Sequence, residues 1–136
     1  MKKAMLIAAA VLLLGIAASA QEAQRPDRKN LVIKEWNTDA RSNARVMDHM
    51  TTYNADGMKI EEIENDSNGR QKWRKRFEYG PNGKVSRELV YDERNRLYSV
   101  KKLEYNELDQ KKTQYNYDAK GKLVSVKVFE YIAEDE

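Results

Sequence analysis

The feature that most constrains the fold is a recurring anchor residue whose spacing along the chain is always even. The anchors, separated alternately by 12 and 14 residues, are Tyr53, Asn65, Tyr79, Tyr91, Tyr105, Tyr117 and Tyr131. Four residues after each of the first six stands Gly, Asn or Asp, the residue types that adopt a left-handed backbone at least cost. The runs between these turns are rich in Tyr, Val, Leu and Lys, which is typical of strands. The pattern therefore predicts a series of β-hairpins.

The turn residues also predict the register of each hairpin. They fit a three-residue loop, a type I turn followed by one left-handed residue that forms a bulge, which pairs Tyr79 with Val85 and Tyr91 with Leu97. A four-residue loop would instead pair Tyr79 with Lys84 and mix apolar and polar side chains on both faces. Because strand side chains alternate with period two, the three-residue loop is expected to place all anchors on one amphipathic face.

These hairpins predict an all-β domain. The repeated strands are expected at 58–65, 70–79, 84–91, 96–105, 110–117 and 122–131, after two less regular strands at Leu31–Trp36 and Val46–Tyr53. The fold class is an antiparallel meander of roughly eight strands, either an open twisted sheet or a partly closed barrel. The domain spans 31–132, between a flexible tether at 21–30 and a frayed acidic tail at 133–136.

The first 20 residues are typical of a bacterial signal peptide. Lys2 and Lys3 precede an apolar run from Ala4 to Ala17, and Ala18-Ser19-Ala20 forms a small-residue cleavage site. The apolar run is shorter than the roughly 20 residues that a spanning helix needs. The protein is therefore expected to be exported to the periplasm or the extracellular space, with no membrane span after cleavage.

Composition excludes several kinds of site. The chain has no Cys and one His, which leaves no disulfide scaffold, thiolate metal site or multi-histidine zinc site. Without Lys2 and Lys3 the net charge falls from +3 to +1, so a nucleic-acid partner is not expected. His49 is interpreted as a surface or half-buried strand residue, and the turn carboxylates as turn caps rather than calcium ligands. We expect no catalytic residue, no metal site and no cofactor.

Two strings carry a resemblance to a known family. Tyr-Asp-Glu-Arg-Asn-Arg-Leu at 91–97 and Tyr-Asp-Ala-Lys-Gly-Lys-Leu at 117–123 resemble the tyrosine-aspartate repeats of bacterial Rhs-type shell proteins. With its signal peptide, the chain is similar to a family of short secreted Bacteroidetes proteins of unknown function. The resemblance covers 31–131 and implies hairpin repeats and export. It supplies no catalytic residue, because the matching motifs belong to turns.

Two surfaces are candidate binding sites. The first is the predicted aromatic face, with Trp73, Phe77, Tyr79, Tyr91, Tyr105 and Tyr117. Exposed aromatic side chains are typical of carbohydrate and protein contacts, although the same face could be the core of a curled sheet or a homodimer. The second is a basic ridge on the opposite face, formed by Arg70, Lys72, Arg74 and Arg76. Glutamates on neighbouring strands are expected to neutralise this ridge through cross-strand ion pairs.

The sequence thus predicts a secreted, non-catalytic binding or interaction module that uses its aromatic face or its edge strands. Its partner is expected to be a protein, an envelope glycan or a second copy of the chain. The alternative is a small periplasmic enzyme or ligand carrier with a pocket inside a closed β-barrel.

Overall fold

The structure, a computed structural model, describes residues 26–134. It contains one antiparallel sheet of eight strands in sequence order, β1 to β8. Their bounds are Val32–Thr38, Arg45–Tyr53, Lys59–Asn65, Gln71–Tyr79, Val85–Tyr91, Leu97–Tyr105, Lys111–Asp118 and Leu123–Val128. The sheet is not closed, because β1 and β8 each pair on one side only. The predicted all-β meander is therefore confirmed in its open form.

Parts of the sequence prediction fall outside the described residues, namely the signal peptide at 1–20, the tether up to residue 25, and the last two residues of the tail. Residues 26–30 belong to the predicted tether and contact the sheet. The Asn30 N–H donates to the Asn54 carbonyl at 2.9 Å, and the Arg28 guanidinium lies 5.4 Å from the centre of the Tyr53 ring. Within residues 26–134 there is no helix long and apolar enough to cross a membrane.

The six predicted hairpin loops form as expected. In each, the residue after the anchor exchanges backbone hydrogen bonds across the loop. In the β4–β5 turn the Gly80 N–H donates to the Lys84 carbonyl at 2.9 Å, and the Gly83 N–H donates to the Gly80 carbonyl at 3.0 Å. All six predicted left-handed positions have positive φ, including the non-glycine residues Asn95 and Asp109. The pairings Tyr79–Val85 and Tyr91–Leu97 are confirmed.

A second irregularity accompanies every hairpin. Beside the pair Tyr79–Val85, the next pair is Glu78–Arg87, so Ser86 is an extra residue without a partner. The same register shift occurs in all seven strand pairs. The extra residues are Asp48, Ile60, Lys72, Ser86, Tyr98, Lys112 and Val124. Such a bulge breaks the alternation of side chains along its strand.

Because of these bulges, the prediction that all anchors share one face is wrong. Each bulge adds one residue between successive anchors, so the next anchor lies on the opposite face of the sheet. Tyr53, Tyr79, Tyr105 and Tyr131 lie on the face that carries Trp73, which we call the Trp73 face. Asn65, Tyr91 and Tyr117 lie on the other, the Tyr91 face.

Side-chain contacts agree with this assignment. The Arg74 guanidinium lies 4.3 Å from the centre of the Tyr91 ring, so these two side chains share a face. Trp73 is adjacent to Arg74 in β4 and therefore points to the opposite face. On the Trp73 face, the Lys75 ammonium lies 3.6 Å from the Glu88 carboxylate, and the Lys59 ammonium lies 4.8 Å from the Phe77 ring centre. Aromatic side chains are thus shared between both faces.

The sheet is a single layer without a hydrophobic core. Among the described residues no apolar side chain is fully buried, and the most buried side chains are the polar Thr51 and Asn65, at 7% and 9% exposure. Lys and Arg side chains cover much of the aromatic surface. The Lys75 ammonium lies 4.7 Å from the Trp73 ring centre, and the Arg45 guanidinium lies 4.2 Å from that of Trp36. These stems shield the rings while their charges stay in water.

Candidate functional site

The structure divides the predicted aromatic site between the two faces. Trp73, Phe77, Tyr79 and Tyr105 lie on the Trp73 face, whereas Tyr91 and Tyr117 lie on the Tyr91 face. The six residues therefore do not form one surface. A site on either face must use a subset of them together with residues that the predicted register placed elsewhere.

Two of the tyrosines have a structural role. The Tyr79 hydroxyl donates to the Lys59 carbonyl at 2.6 Å, and the Tyr105 hydroxyl donates to the Val85 carbonyl at 2.6 Å. Burial raises the pKa of both hydroxyls. Because these hydroxyls are committed to the backbone, Tyr79 and Tyr105 hold adjacent hairpins together rather than offering free donors to a ligand.

The predicted basic ridge is interrupted. Arg74 and Arg76 lie on the Tyr91 face, Arg70 lies in the loop before β4, and Lys72 is a bulge residue. The Glu61 carboxylate lies 3.1 Å from the Arg74 guanidinium and 4.0 Å from that of Arg76. Arg74 also donates to the Asn95 side chain at 2.9 Å. A cross-strand carboxylate is thus present at Arg74 and Arg76, but it is Glu61 rather than the expected Glu62, Glu64, Glu78 or Glu88, which lie next to other partners.

His49 lies at the centre of an acidic cluster that sequence reasoning missed. Its Nδ1 atom lies 2.6 Å from a Glu64 carboxylate oxygen, and its Nε2 atom lies 3.3 Å from Glu62 and 3.8 Å from Glu35. The hydrogen bond to Glu64 raises the pKa of His49, against the opposing effect of partial burial, and the charges of Glu35 and Glu62 raise it further. The pairing of β1, β2 and β3 brings these residues together, so no local sequence motif predicts the cluster.

The cluster surrounds the imidazole with acidic groups. Its ring nitrogens face three carboxylates, and the Trp73 ring meets the imidazole edge-on with 6.4 Å between ring centres. Such surroundings favour the charged form of the imidazole. Among the described residues, no group of three or more His, Asp or Glu side chains is arranged to hold a metal ion.

One cleft of the sheet lies beside Trp73, and another, lined by Tyr79 and Tyr105 among others, lies elsewhere on the Trp73 face. The cleft beside Trp73 is open and has a volume of about 400 Å³, and its lining includes Trp73 and Lys75 of β4, Val90 and Tyr91 of β5, and Tyr98 of β6. Tyr98 is 67% exposed, and it is the extra residue of the β5–β6 bulge. Its part in the cleft could not be expected from strict alternation along the strand.

The repeats provide an internal comparison for this cleft. The positions of Trp73, Lys75, Val90 and Tyr98 correspond by register to Ser99, Lys101, Asn116 and Val124 in the next repeat. In the preceding repeat, 26 residues earlier, they correspond to Met47, His49, Glu64 and Lys72. The neighbouring repeats therefore carry no aromatic residue other than the imidazole of His49 at these positions. The Trp73–Tyr98 pair is a local departure from the repeat, which a purely structural role does not require.

The charges around the cleft nearly balance. Lys75 is paired with Glu88, and the Asp92 carboxylate accepts hydrogen bonds from the N–H groups of Arg96 and Arg94, which lower its pKa. Lys72 and Glu93 are exposed at the rim, and no ion pair within residues 26–134 holds either of them. The cleft thus combines two aromatic walls with one free cationic donor and one free anionic acceptor.

Comparison with known proteins adds no relative. No family model, no curated protein and no solved structure matches the chain, so the resemblance to tyrosine-aspartate repeats stays a prediction.

Proposed function

We propose that this protein is an exported, non-catalytic binding module whose Trp73–Tyr98 cleft receives a sugar ring of an envelope glycan. The observation that carries the proposal is the aromatic pair, which one repeat has and its neighbours lack. The C–H face of a pyranose ring packs against aromatic side chains, which combine a large apolar area with defined geometry. Tyr98, at 67% exposure, is the accessible aromatic side chain of this cleft, and an exposed aromatic residue beside a polar rim is typical of a recognition surface.

The polar rim fits a hydroxylated ligand. Each sugar hydroxyl both donates and accepts a hydrogen bond, and the rim supplies an ammonium donor from Lys72 and a carboxylate acceptor from Glu93. Since the charges around the cleft nearly balance, the proposal favours a neutral sugar over a strongly anionic one. The open shape of the cleft suits the side or end of an extended polysaccharide.

The alternative function loses its geometric basis in the described part of the chain. An enzyme or carrier with a pocket inside a barrel requires a closed sheet, and the eight strands between residues 32 and 128 form an open one. The single layer supplies no enclosed interior in which a small ligand would be surrounded.

The test uses substitutions that the repeats themselves provide. Trp73→Ser and Tyr98→Val introduce the residues of the next repeat, and both are expected to preserve the fold. On an array of neutral and uronic-acid-containing oligosaccharides, followed by calorimetry with the best binder, each substitution should weaken binding by about tenfold or more, equivalent to ~1.4 kcal/mol. Trp36→Ser is the matched control, because Trp36 is 47% exposed on the Tyr91 face.

Circular dichroism and thermal unfolding establish that each variant is folded. The proposal is contradicted if the folded Trp73→Ser and Tyr98→Val variants bind as tightly as the unmodified protein, or if Trp36→Ser loses as much affinity. The absence of binding to every oligosaccharide on the array would contradict the assignment of a glycan.

A further inference from the structure

Within residues 26–134, no strand pairs with the outer edge of β1 or of β8, and the side chains of both strands are exposed. Every residue of β1 and of β8 is exposed. In β8, the apolar side chains of Val126 and Val128 are 47% and 66% exposed. An open strand edge with β-branched side chains and no proline is a template for another strand. This surface is separate from the Trp73–Tyr98 cleft.

Hydrogen bonds within the sheet show which peptide groups of β8 remain open. The Phe129 N–H donates to the Lys112 carbonyl at 3.1 Å, so by alternation the peptide groups of Ser125 and Lys127 face β7. Those of Val126 and Val128 therefore face the open edge.

The same reasoning applies to β1. The Tyr53 N–H donates to the Leu31 carbonyl at 2.9 Å, which places the peptide groups of Ile33 and Glu35 toward β2. Those of Lys34 and Trp36 face the open edge. On both edges, the residues with open peptide groups carry their side chains on the Tyr91 face.

This match permits one copy to continue the sheet of another without inverting its faces. β1 and β8 lie at opposite ends of an eight-strand meander and run in opposite directions, so β1 of a second copy beside β8 extends the antiparallel order. Pairing Val126 with Trp36 and Val128 with Lys34 uses the open peptide groups of both strands. The Trp73 face of one copy then continues into the Trp73 face of the next.

Charge complementarity selects this register. It places Lys127 directly opposite Glu35 on the Trp73 face, where opposite charges on paired strands are stabilising. Glu35 is 59% exposed, and within the described residues Lys127 has no ion pair. A shift of two residues would place Lys127 opposite Ile33 instead. A symmetric β8–β8 pair centred on Val126 would place Lys127 opposite Ser125, without a charge partner.

We propose that this protein associates head to tail, with β8 of one copy pairing antiparallel with β1 of the next and Lys127 lying opposite Glu35. Such a contact joins two different surfaces and does not close on itself after two copies. Assembly would therefore grow with concentration and would repeat the Trp73 face along a continuous sheet.

Charge reversal tests the register. Sedimentation velocity of the exported protein over a wide concentration range is expected to show species larger than dimers. Lys127→Glu and Glu35→Lys should each weaken association at least about tenfold, and the double variant should restore it. Lys101→Glu is the matched control, because Lys101 occupies the position of Lys127 one repeat earlier, inside the sheet on the same face.

A proline substitution provides an independent test of the edge. Val126→Pro removes an N–H that faces the open edge and is not used within the sheet, so it should block association while the monomer stays folded. The proposal is overturned if the unmodified protein is monomeric at every concentration or stops at a dimer. It is also overturned if Lys127→Glu and Lys101→Glu weaken association equally, or if the double variant fails to recover.

Discussion

The two turn ends of the sheet use the same anchor position in different ways. At the end where β2, β4 and β6 finish, the anchors lie on the Trp73 face, and three of them bind the backbone through their hydroxyls. These bonds, 2.6–2.7 Å long, run from Tyr79 to the Lys59 carbonyl, from Tyr105 to the Val85 carbonyl and from Tyr131 to the Lys111 carbonyl. Each carbonyl belongs to the residue that pairs with the preceding anchor at the same end of the sheet. These bonds join successive turns.

At the other end, where β3, β5 and β7 finish, the anchors lie on the Tyr91 face. The Asn65 side-chain amide donates to the Met47 carbonyl at 3.0 Å, and Tyr91 lies beneath the Arg74 guanidinium. The turn chemistry is the same at both ends, so it does not determine this difference. The bulge beside each anchor pair determines on which face the anchors of each end lie, because it places the next anchor on the opposite face.

Lengthening β5 by one residue at its bulge is the largest expected disruption of this arrangement. With one alanine inserted after Ser86 and a single bulge residue kept, Leu89 and Tyr91 would move to the Trp73 face, and the contacts Arg74–Tyr91 and Lys75–Glu88 could not form. We expect this insertion to reduce the free energy of unfolding by about 3 kcal/mol or more, measured by urea denaturation.

The matched control keeps the chain length and removes only the Ser86 hydroxyl. Ser86→Ala loses an exposed hydrogen bond of 3.2 Å to the Glu78 carbonyl and should change stability by less than about 0.5 kcal/mol. An insertion variant as stable as Ser86→Ala would show that the number of residues at the bulge does not determine the faces.

A smaller effect is expected from removing a hydroxyl of the tyrosine ladder. Tyr79→Phe leaves the part-buried Lys59 carbonyl without its donor, at a cost of about 0.5–1.5 kcal/mol in the free energy of unfolding. Tyr91→Phe is the control from the other end, where the ring rather than the hydroxyl contacts Arg74. Equal losses for the two variants in urea denaturation would contradict the difference between the ends.

The smallest effect is a pH dependence from His49. Its pKa in the folded protein lies above its ordinary value of 6.5, so its contribution to stability is fully present below that pH. The contribution is lost as the pH rises through the folded pKa. Urea denaturation from about pH 5 to about pH 9 should therefore show the advantage of the unmodified protein over His49→Gln shrinking as the pH increases. A difference that stays constant over this range would contradict the raised pKa of His49.

The local parts of the fold could be predicted because turn residues encode them. The left-handed positions at Gly83 and Asn95 determine the loop and the pairing of Tyr79 with Val85 and Tyr91 with Leu97. The strand bounds agree with the prediction within one residue, except that β8 ends at Val128 rather than 131 and β1 ends at Thr38 rather than Trp36.

The bulges beside the anchor pairs could not be predicted from turn residues in the same way. Their extra residues include Asp48, Ile60, Lys72, Ser86 and Tyr98, which share no side-chain chemistry. An even number of residues between anchors fits strict alternation without bulges equally well. The spacing therefore does not show that successive anchors lie on opposite faces. Because the bulges change the face of the side chains that follow them, part of the predicted aromatic site lies on the other face. The cleft beside Trp73 and the cluster around His49 depend on the same register.

The most direct test of the central claim, that successive anchors lie on opposite faces, is the set of nuclear Overhauser contacts of the Tyr91 ring in solution. The structure predicts contacts between the Tyr91 ring protons and the Arg74 side chain, and none with the Phe77 ring. Contacts between the Tyr91 and Phe77 rings, in the absence of contacts with Arg74, would contradict it.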